Sequence, residues 1–344
     1  MIARQPADIL DCLANLSSDE VFTPPRVANA ILDLLPEHVW SDPGLRWLDP
    51  GSKSGVFLRE AERRLMEGLD AAIPNARERR EHILRNMLHG LAITELTGLI
   101  SRRTLYHCRF ANTEYSVLRF DDEDGNIRFP ESKHEWHGGK CRRCGASQKA
   151  LGAREGREGH AYPFLHLDPA DIFEGEDMRF DVIVGNPPYQ LDDGGFGKSS
   201  RPLYHRFIQA AKALEPRYIA FVVPARWYTG GKGLDGFRRE MLADRRLSHL
   251  VDYPDMNDLF VGVDIAGGCC FLWDAEHDGD CLVVAEGDPT RAVRRRLDAL
   301  DVFVRDSRAM SVLEKWTDAE LYRHFGLSED DIVHIEKTIR EMPA

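Results

Sequence analysis

The 344-residue sequence has no apolar run long enough to cross a bilayer. Runs such as Tyr218–Pro224 stop well short of the ~20 residues that a spanning helix needs. There is no cationic start followed by an apolar stretch, so a cytoplasmic chain without a secretory leader is expected. Cysteine is scarce, with seven residues and no secretory context, which points to free thiols or metal ligands rather than a disulfide framework. Positive charge is in deficit, with a formal net charge of -12. That disfavours a simple nucleic-acid coating protein, although a local basic cleft remains compatible with it. No internal repeat and no low-complexity tract is present, which excludes solenoid and fibrous architectures. What is left, at 43% hydrophobic and 30% charged residues, is a globular chain of one large domain or two ordinary ones.

Residues 1–20 read as an amphipathic leader, and strand and helix patterns alternate after it. Arg46–Asp49 predicts a strand, followed by a helix through about Leu69. Met87–Ile93 predicts a second strand, with a helix through about Leu105. After an interruption, Phe164–Leu167 and Val182–Val184 read as strands, and Leu203, Phe207, Ala210, Ala211 and Leu214 mark a helix. Tyr218–Val223, Leu247–Tyr253, Ala266–Trp273 and Cys281–Ala285 complete the strands, with a helix ending near Ala243. Leu321–Arg340 predicts two short helices joined at Gly326. Alternation of this kind implies a mostly parallel sheet with helices on both faces.

One stretch organises the rest. In Phe180–Gln190 a short apolar run ends at Gly185, and Asn186-Pro187-Pro188-Tyr189 follows. Neither proline has an N–H to donate, so the chain must leave the sheet in a stiff turn. The turn holds an amide, two carbonyls and an aromatic ring at a strand's carboxyl end, where open α/β sheets bind ligands. A second strand end, Asp49, opens the loop Pro50-Gly-Ser-Lys-Ser-Gly-Val-Phe57. Small residues let that loop approach a ligand, and the helix after it offers free N–H groups. No Gly-Lys-Ser/Thr closes the loop, so it is not a P-loop, and Asp49 suits a cationic or hydroxyl-bearing ligand better than a pyrophosphate. Glu95 stands near the second strand's end, where ribose hydroxyls are held in such folds. It equally suits an ordinary helix N-terminus. Glycine-rich loops at Asp192–Ser200 and Gly230–Gly233 flank the turn.

Residues 106–161 interrupt the alternation, being polar and short of apolar periodicity. They contain Cys108, His134, His137 and Cys141-Arg-Arg-Cys144-Gly, and Cys-x-x-Cys-Gly is a metal-knuckle pattern. A zinc site of Cys108, His134, Cys141 and Cys144 is expected, with His107, His137 and His160 as alternatives. A segment lacking an apolar core would gain order from the ion.

Together these segments resemble the class I S-adenosylmethionine-dependent methyltransferases. More narrowly, residues 18–275 resemble the adenine-specific DNA methylases of restriction-modification systems, in their gamma-class motif order. The resemblance rests on Phe22-Thr23-Pro24, then Asp49–Phe57, then Asn186–Tyr189. It implies a Rossmann-like α/β sheet, mostly parallel with one antiparallel strand, into which the Cys-rich zinc-knuckle insertion read above is placed. It implies a catalytic domain of residues 1–105 and 162–275, with an insertion at 106–161 and a helical segment at 276–344. The last departs from the family, whose long target-recognition region is reduced or absent here. Asn186, Pro187, Pro188 and Tyr189 would form the catalytic turn. Thr23, Pro24, Asp49, Pro50, Gly51, Gly55, Phe57, Glu95 and Asp168 would hold S-adenosylmethionine, with Asp171 competing for the role of Asp168. Lys53 stands where many relatives carry glycine, and Ala92 where the ribose-binding acid is usual. Double-stranded DNA is the implied partner, together with a separate specificity or restriction subunit. Methylation of RNA adenine or protein glutamine, and a non-catalytic DNA-binding subunit with the same fold, are the competing readings.

Overall fold

The computed structural model describes residues 22–151, 161–173, 178–191, 201–260, 267–313 and 318–341. The expected leader, the Asp192–Ser200 loop, His160 and Ala266 lie outside them. The chain divides into two compact units, 1–302 and 303–344.

The strands of the first unit are β1 (Trp47–Ser52), β2 (Leu88–Ala92), β3 (Ile127–Arg128), β4 (Trp136–His137), β5 (Lys140–Cys141), β6 (Val182–Gly185), β7 (Gln190–Leu191), β8 (Arg201–Pro202), β9 (Tyr218–Pro224), β10 (Leu247–Tyr253), β11 (Gly268–Asp274), β12 (Cys281–Ala285) and β13 (Ala292–Arg295). Nine of them form one sheet in the order β13-β12-β10-β11-β9-β6-β1-β2-β3, while β4-β5 and β7-β8 are separate two-stranded ribbons. The strands from β9 to β3 are parallel. β11 runs antiparallel to both β9 and β10, and β13 antiparallel to β12. Two reversed strands thus replace the single one expected. β13 is the addition, an edge strand formed by the basic run that starts at Arg291, with Arg294 exposed on it. The sheet therefore continues past residue 275, and the segment expected to be helical from 276 begins with two strands.

Side chains alternate along the strands, so each buried strand feeds two cores. Tyr218, Ala220 and Val222 join Val182 and Val184 in a cluster with Ile31 of helix Pro25–Leu32, Leu58 of helix Val56–Gly68 and Leu105 of helix Glu95–Tyr106. On the other face Phe221 meets Phe271 edge-on, and Phe207 of helix Tyr204–Ala213 stacks on Phe164. Trp47 is fully buried in β1 and stacks on Trp40 at 5.0 Å.

Two segments differ from the sequence reading. Phe164–Leu167 is not a strand: Pro163 sits at the first position of a short helix, Pro163–His166, and its fixed φ favours that start. Part of the interrupting segment also joins the sheet. Gly90 of β2 donates to Asn126, and Arg102 donates to the Ile127 carbonyl and pairs with Asp124, so β3 is held by polar bonds without apolar periodicity. The second unit contains helices Ser307–Leu313, Asp318–His324 and Glu329–Glu341, the last two separated at Gly326, whose φ is +64°.

Candidate active site

The carboxyl ends of β1 and β6 lie side by side, because Trp47 pairs with Val182 and Leu48 with Ile183. That register brings the loop after Asp49 against the turn after Gly185. A Cβ on Gly51 would stand 3.5 Å from Pro188 Cδ and 3.6 Å from Pro187 Cα, and one on Gly185 would stand 3.0 Å from Asp49 Oδ1. The loop and the turn are thus in van der Waals reach at Gly51, and a side chain at Gly185 would crowd the Asp49 carboxyl.

Asn186 is 3% exposed, and its Nδ2 donates to the Thr23 hydroxyl at 3.1 Å, across 163 residues of sequence. That bond orients the amide and ties the Thr23-Pro24 motif to the turn. Pro187 and Pro188 are buried and Tyr189 is half-buried. Burial pushes the Tyr189 phenol well above its usual range, with Cys270 and Cys269 of β11 adding to the effect. The phenol therefore stays protonated.

Asp49 is buried, and burial raises its carboxyl to about 7, against the opposing pull of a hydrogen bond from Gly51 N at 3.2 Å, Ser52 and the charge of Lys53. Gly55, at φ +73°, precedes helix Val56–Gly68 and gives it no side-chain cap, which leaves the first-turn N–H groups for a ligand. Phe57 is buried on that helix. Glu95 is exposed at the start of helix Glu95–Tyr106, beyond β2, whose Ala92 pairs with Ser52. Asp168 and Asp171 are both exposed, and the Asp168 carbonyl accepts from the Asp171 N–H at the start of Pro169–Ile172. Thr23, Asp49, Gly51 and the Asn186–Pro188 turn are thus brought together, with Glu95 placed after the neighbouring strand.

The expected metal set needs one correction. His134, Cys141 and Cys144 converge, but the fourth member is His166, not Cys108. The Cys108 thiol instead donates to the Phe110 carbonyl at 2.9 Å. Cys108 belongs to the part of the insertion that docks on helix Glu95–Tyr106, where Val117 N donates to the Tyr106 carbonyl. His166 lies in the Pro163–His166 helix, in a stretch whose apolar run predicts a strand, and Pro163 alone does not decide between the two.

Residues 86–260 match the model of the Eco57I restriction-modification methylase family. An uncharacterized adenine-specific methylase of Mycoplasma pneumoniae is 34% identical over 304 residues, covering 80% of this chain and 72% of that protein. Among solved structures, a nuclease-deletion mutant of the Type ISP restriction-modification enzyme LlaGI, in complex with a DNA substrate mimic, superposes with a TM-score of 0.52 at 14% identity over 86% of this chain. The type I restriction-modification methyltransferase subunit of Streptococcus thermophilus gives a TM-score of 0.49 at 13% identity over 88%. The chain spans 32% and 54% of those two longer proteins. The LlaGI likeness concerns the fold, a mostly parallel sheet with helices packed against it. Family model and curated relative agree on one assignment, and the chain belongs to the Eco57I restriction-modification methylase family.

Proposed function

We propose that the chain transfers a methyl group from S-adenosylmethionine to the N6 amine of an adenine rotated out of double-stranded DNA. The observation that carries this reading is the contact of the glycine loop after Asp49 with the Asn186-Pro187-Pro188 turn, with Asn186 held by Thr23. The residues fit the donor: a side-chain-free approach at Gly51, an open helix start at Gly55, and a buried carboxylate at Asp49 to face a cationic amino group. Glu95 would hold ribose hydroxyls, and Asp168 or Asp171 the adenine amine. The bound donor supplies an electrophilic methyl on a sulfonium.

The exocyclic amine of adenine is a poor nucleophile, since its lone pair is delocalised into the ring. In this reading the Asn186 side-chain oxygen and the Pro187 carbonyl accept its two hydrogens. That favours a tetrahedral nitrogen with its lone pair directed at the methyl. The N–C bond forms as the S–C bond breaks, and the surplus amine proton leaves afterwards. Positioning and electrostatics supply the acceleration, and no strong base is required. Tyr189 provides the apolar face against which a flipped base stacks, worth ~1–3 kcal/mol. Pro188 keeps the turn rigid.

The test is methyl transfer from labelled donor to unmethylated duplex DNA, with nucleosides analysed by mass. N6-methyladenine is expected, and Asn186→Ala should lower turnover by about 10²–10³ while donor binding persists. Label in RNA or protein instead, or donor binding without transfer by the unaltered chain, would overturn the reading. The expected specificity or restriction subunit is tested by adding the partially purified native partner fraction: a gain in site selectivity supports it.

A further inference from the structure

Four side chains with no part in methyl transfer meet at one point. The ligand atoms of His134, Cys141, Cys144 and His166 all lie within 4.8 Å of one another, and both cysteines and His166 are buried. Cys141 Sγ stands 3.4 Å from His166 Nε2, and Cys144 Sγ 3.4 Å from His134 Nδ1. A tetrahedral ion with bonds of ~2.3 Å to sulfur and ~2.0 Å to nitrogen gives sulfur–nitrogen edges of ~3.5 Å. These two sulfur–nitrogen edges match that figure.

The surroundings are built to the same end. β4 and β5 pair across Gly138-Gly139, both with positive φ (+56° and +77°), a two-residue turn that glycine alone adopts without strain. The chain then folds back so that Cys141 N donates to the Ala146 carbonyl and Gly145 N, at φ +79°, to the Cys141 carbonyl. This presents both sulfurs on one side of a knuckle. His166 Nδ1–H donates to the Tyr162 carbonyl at 2.9 Å, which fixes the tautomer and leaves the Nε2 lone pair facing Cys141. Metal-bound histidines are oriented by such a bond.

We propose that these four residues bind one tetrahedral, thiophilic divalent cation of the zinc class, and that the ion fastens the β4-β5 knuckle to the body of the catalytic sheet. Three ligands come from the knuckle. The fourth comes from helix Pro163–His166, whose Phe164 stacks on Phe207 at 5.6 Å, with Tyr162 edge-on to the same ring at 5.7 Å. The ion would also set the start of the segment that leads to Asp168. This proposal stands apart from the methyl-transfer reading, because metal content is measured without turnover.

The experiment uses the full chain purified after growth with added zinc. Elemental analysis should find one ion per chain in the unaltered protein and in Cys108→Ser, and its loss in Cys144→Ser and His166→Ala. Replacement by Co²⁺ in the unaltered chain should give intense visible bands and a thiolate-to-metal charge-transfer band in the near ultraviolet, which decides the matter even where variants misfold. Chelation should raise the rate of tryptic cleavage at Lys140, Arg142 and Arg143. Absence of metal, a weak octahedral Co²⁺ spectrum, or loss of the ion in Cys108→Ser with retention in folded His166→Ala would overturn the proposal.

Discussion

Asp49 shows how one buried carboxyl can make ligand binding depend on pH. Its folded value of about 7 lies above the ordinary 3.8, because burial penalises the charged form. Between those values the free folded chain keeps a proton that the unfolded chain releases, so Asp49 makes stability fall as pH rises through that window and then level off. A cationic amino group needs the carboxylate, so donor affinity should move the opposite way. Calorimetry should find S-adenosylmethionine bound about tenfold more weakly at pH 6 than at pH 7.5. Asp49→Asn should weaken binding and flatten the profile, whereas an unchanged profile would remove Asp49 from the donor site. Thr23 makes a second case. Thr23→Val deletes the acceptor for Asn186, a bond worth about 1 kcal/mol, so turnover should drop several-fold at unchanged donor affinity. A parallel loss of donor affinity would place Thr23 on the donor as well. Both residues were legible in the sequence because their chemistry sits in short contiguous strings. His166 was not, because its partners stand at 134, 141 and 144, beyond the reach of any local pattern.

At the scale of elements, the start of helix Val56–Gly68 is a joint that needs glycine for its backbone angle. Gly55 has φ +73°, and a Cβ there would stand 3.0 Å from Ser101 Cα and 3.1 Å from Ser101 O. Gly55→Ala should cost about 1–2 kcal/mol from the left-handed backbone alone. A lowered denaturation midpoint is expected, and Ser101→Gly should not restore it, since the nearest contacts are with backbone. Rescue by Ser101→Gly would mean that the side chain, not the helix approach, is limiting. The long elements followed from apolar periodicity: β10 and β12 fall on Leu247–Tyr253 and Cys281–Ala285 as read. The short ones did not. β3 owes its place to Arg102 and Asn126, whose bonds reach across the fold, and β13 is a charged strand whose pairing with β12 overrides its polarity. Turn geometry was harder still, since Pro163 reads equally as a strand end or a helix start until its neighbours are known.

Across the whole molecule, the formal charge of -12 has to be reconciled with a polyanionic substrate. Exposed Arg226, in the 3-10 turn Ala225–Tyr228, and exposed Lys232 follow β9, the parallel neighbour of β6, and exposed Arg201 lies in β8, which pairs with β7 just after the Asn186 turn. On the proposed function, these cations meet phosphates. The double variant Arg226→Ala, Lys232→Ala should weaken duplex binding and lower the slope of log affinity against log salt by about 2, leaving donor affinity intact. An unchanged slope would move the phosphate contacts elsewhere.

The seam between β1 and β6 has a consequence for how the protein is made. Arg46 N donates to the Asp181 carboxylate at 2.8 Å across 135 residues, and the strands beside that bond carry the two halves of the site. β1 and β2 can pair soon after they are synthesised, whereas β6 must close a far larger loop, and non-local pairings of that kind form slowly. On the proposed function, a nascent chain should therefore form the loop after Asp49 before its Asn186 turn. Methyl transfer would then begin only once β6 has joined β1, so turnover would report closure of that seam.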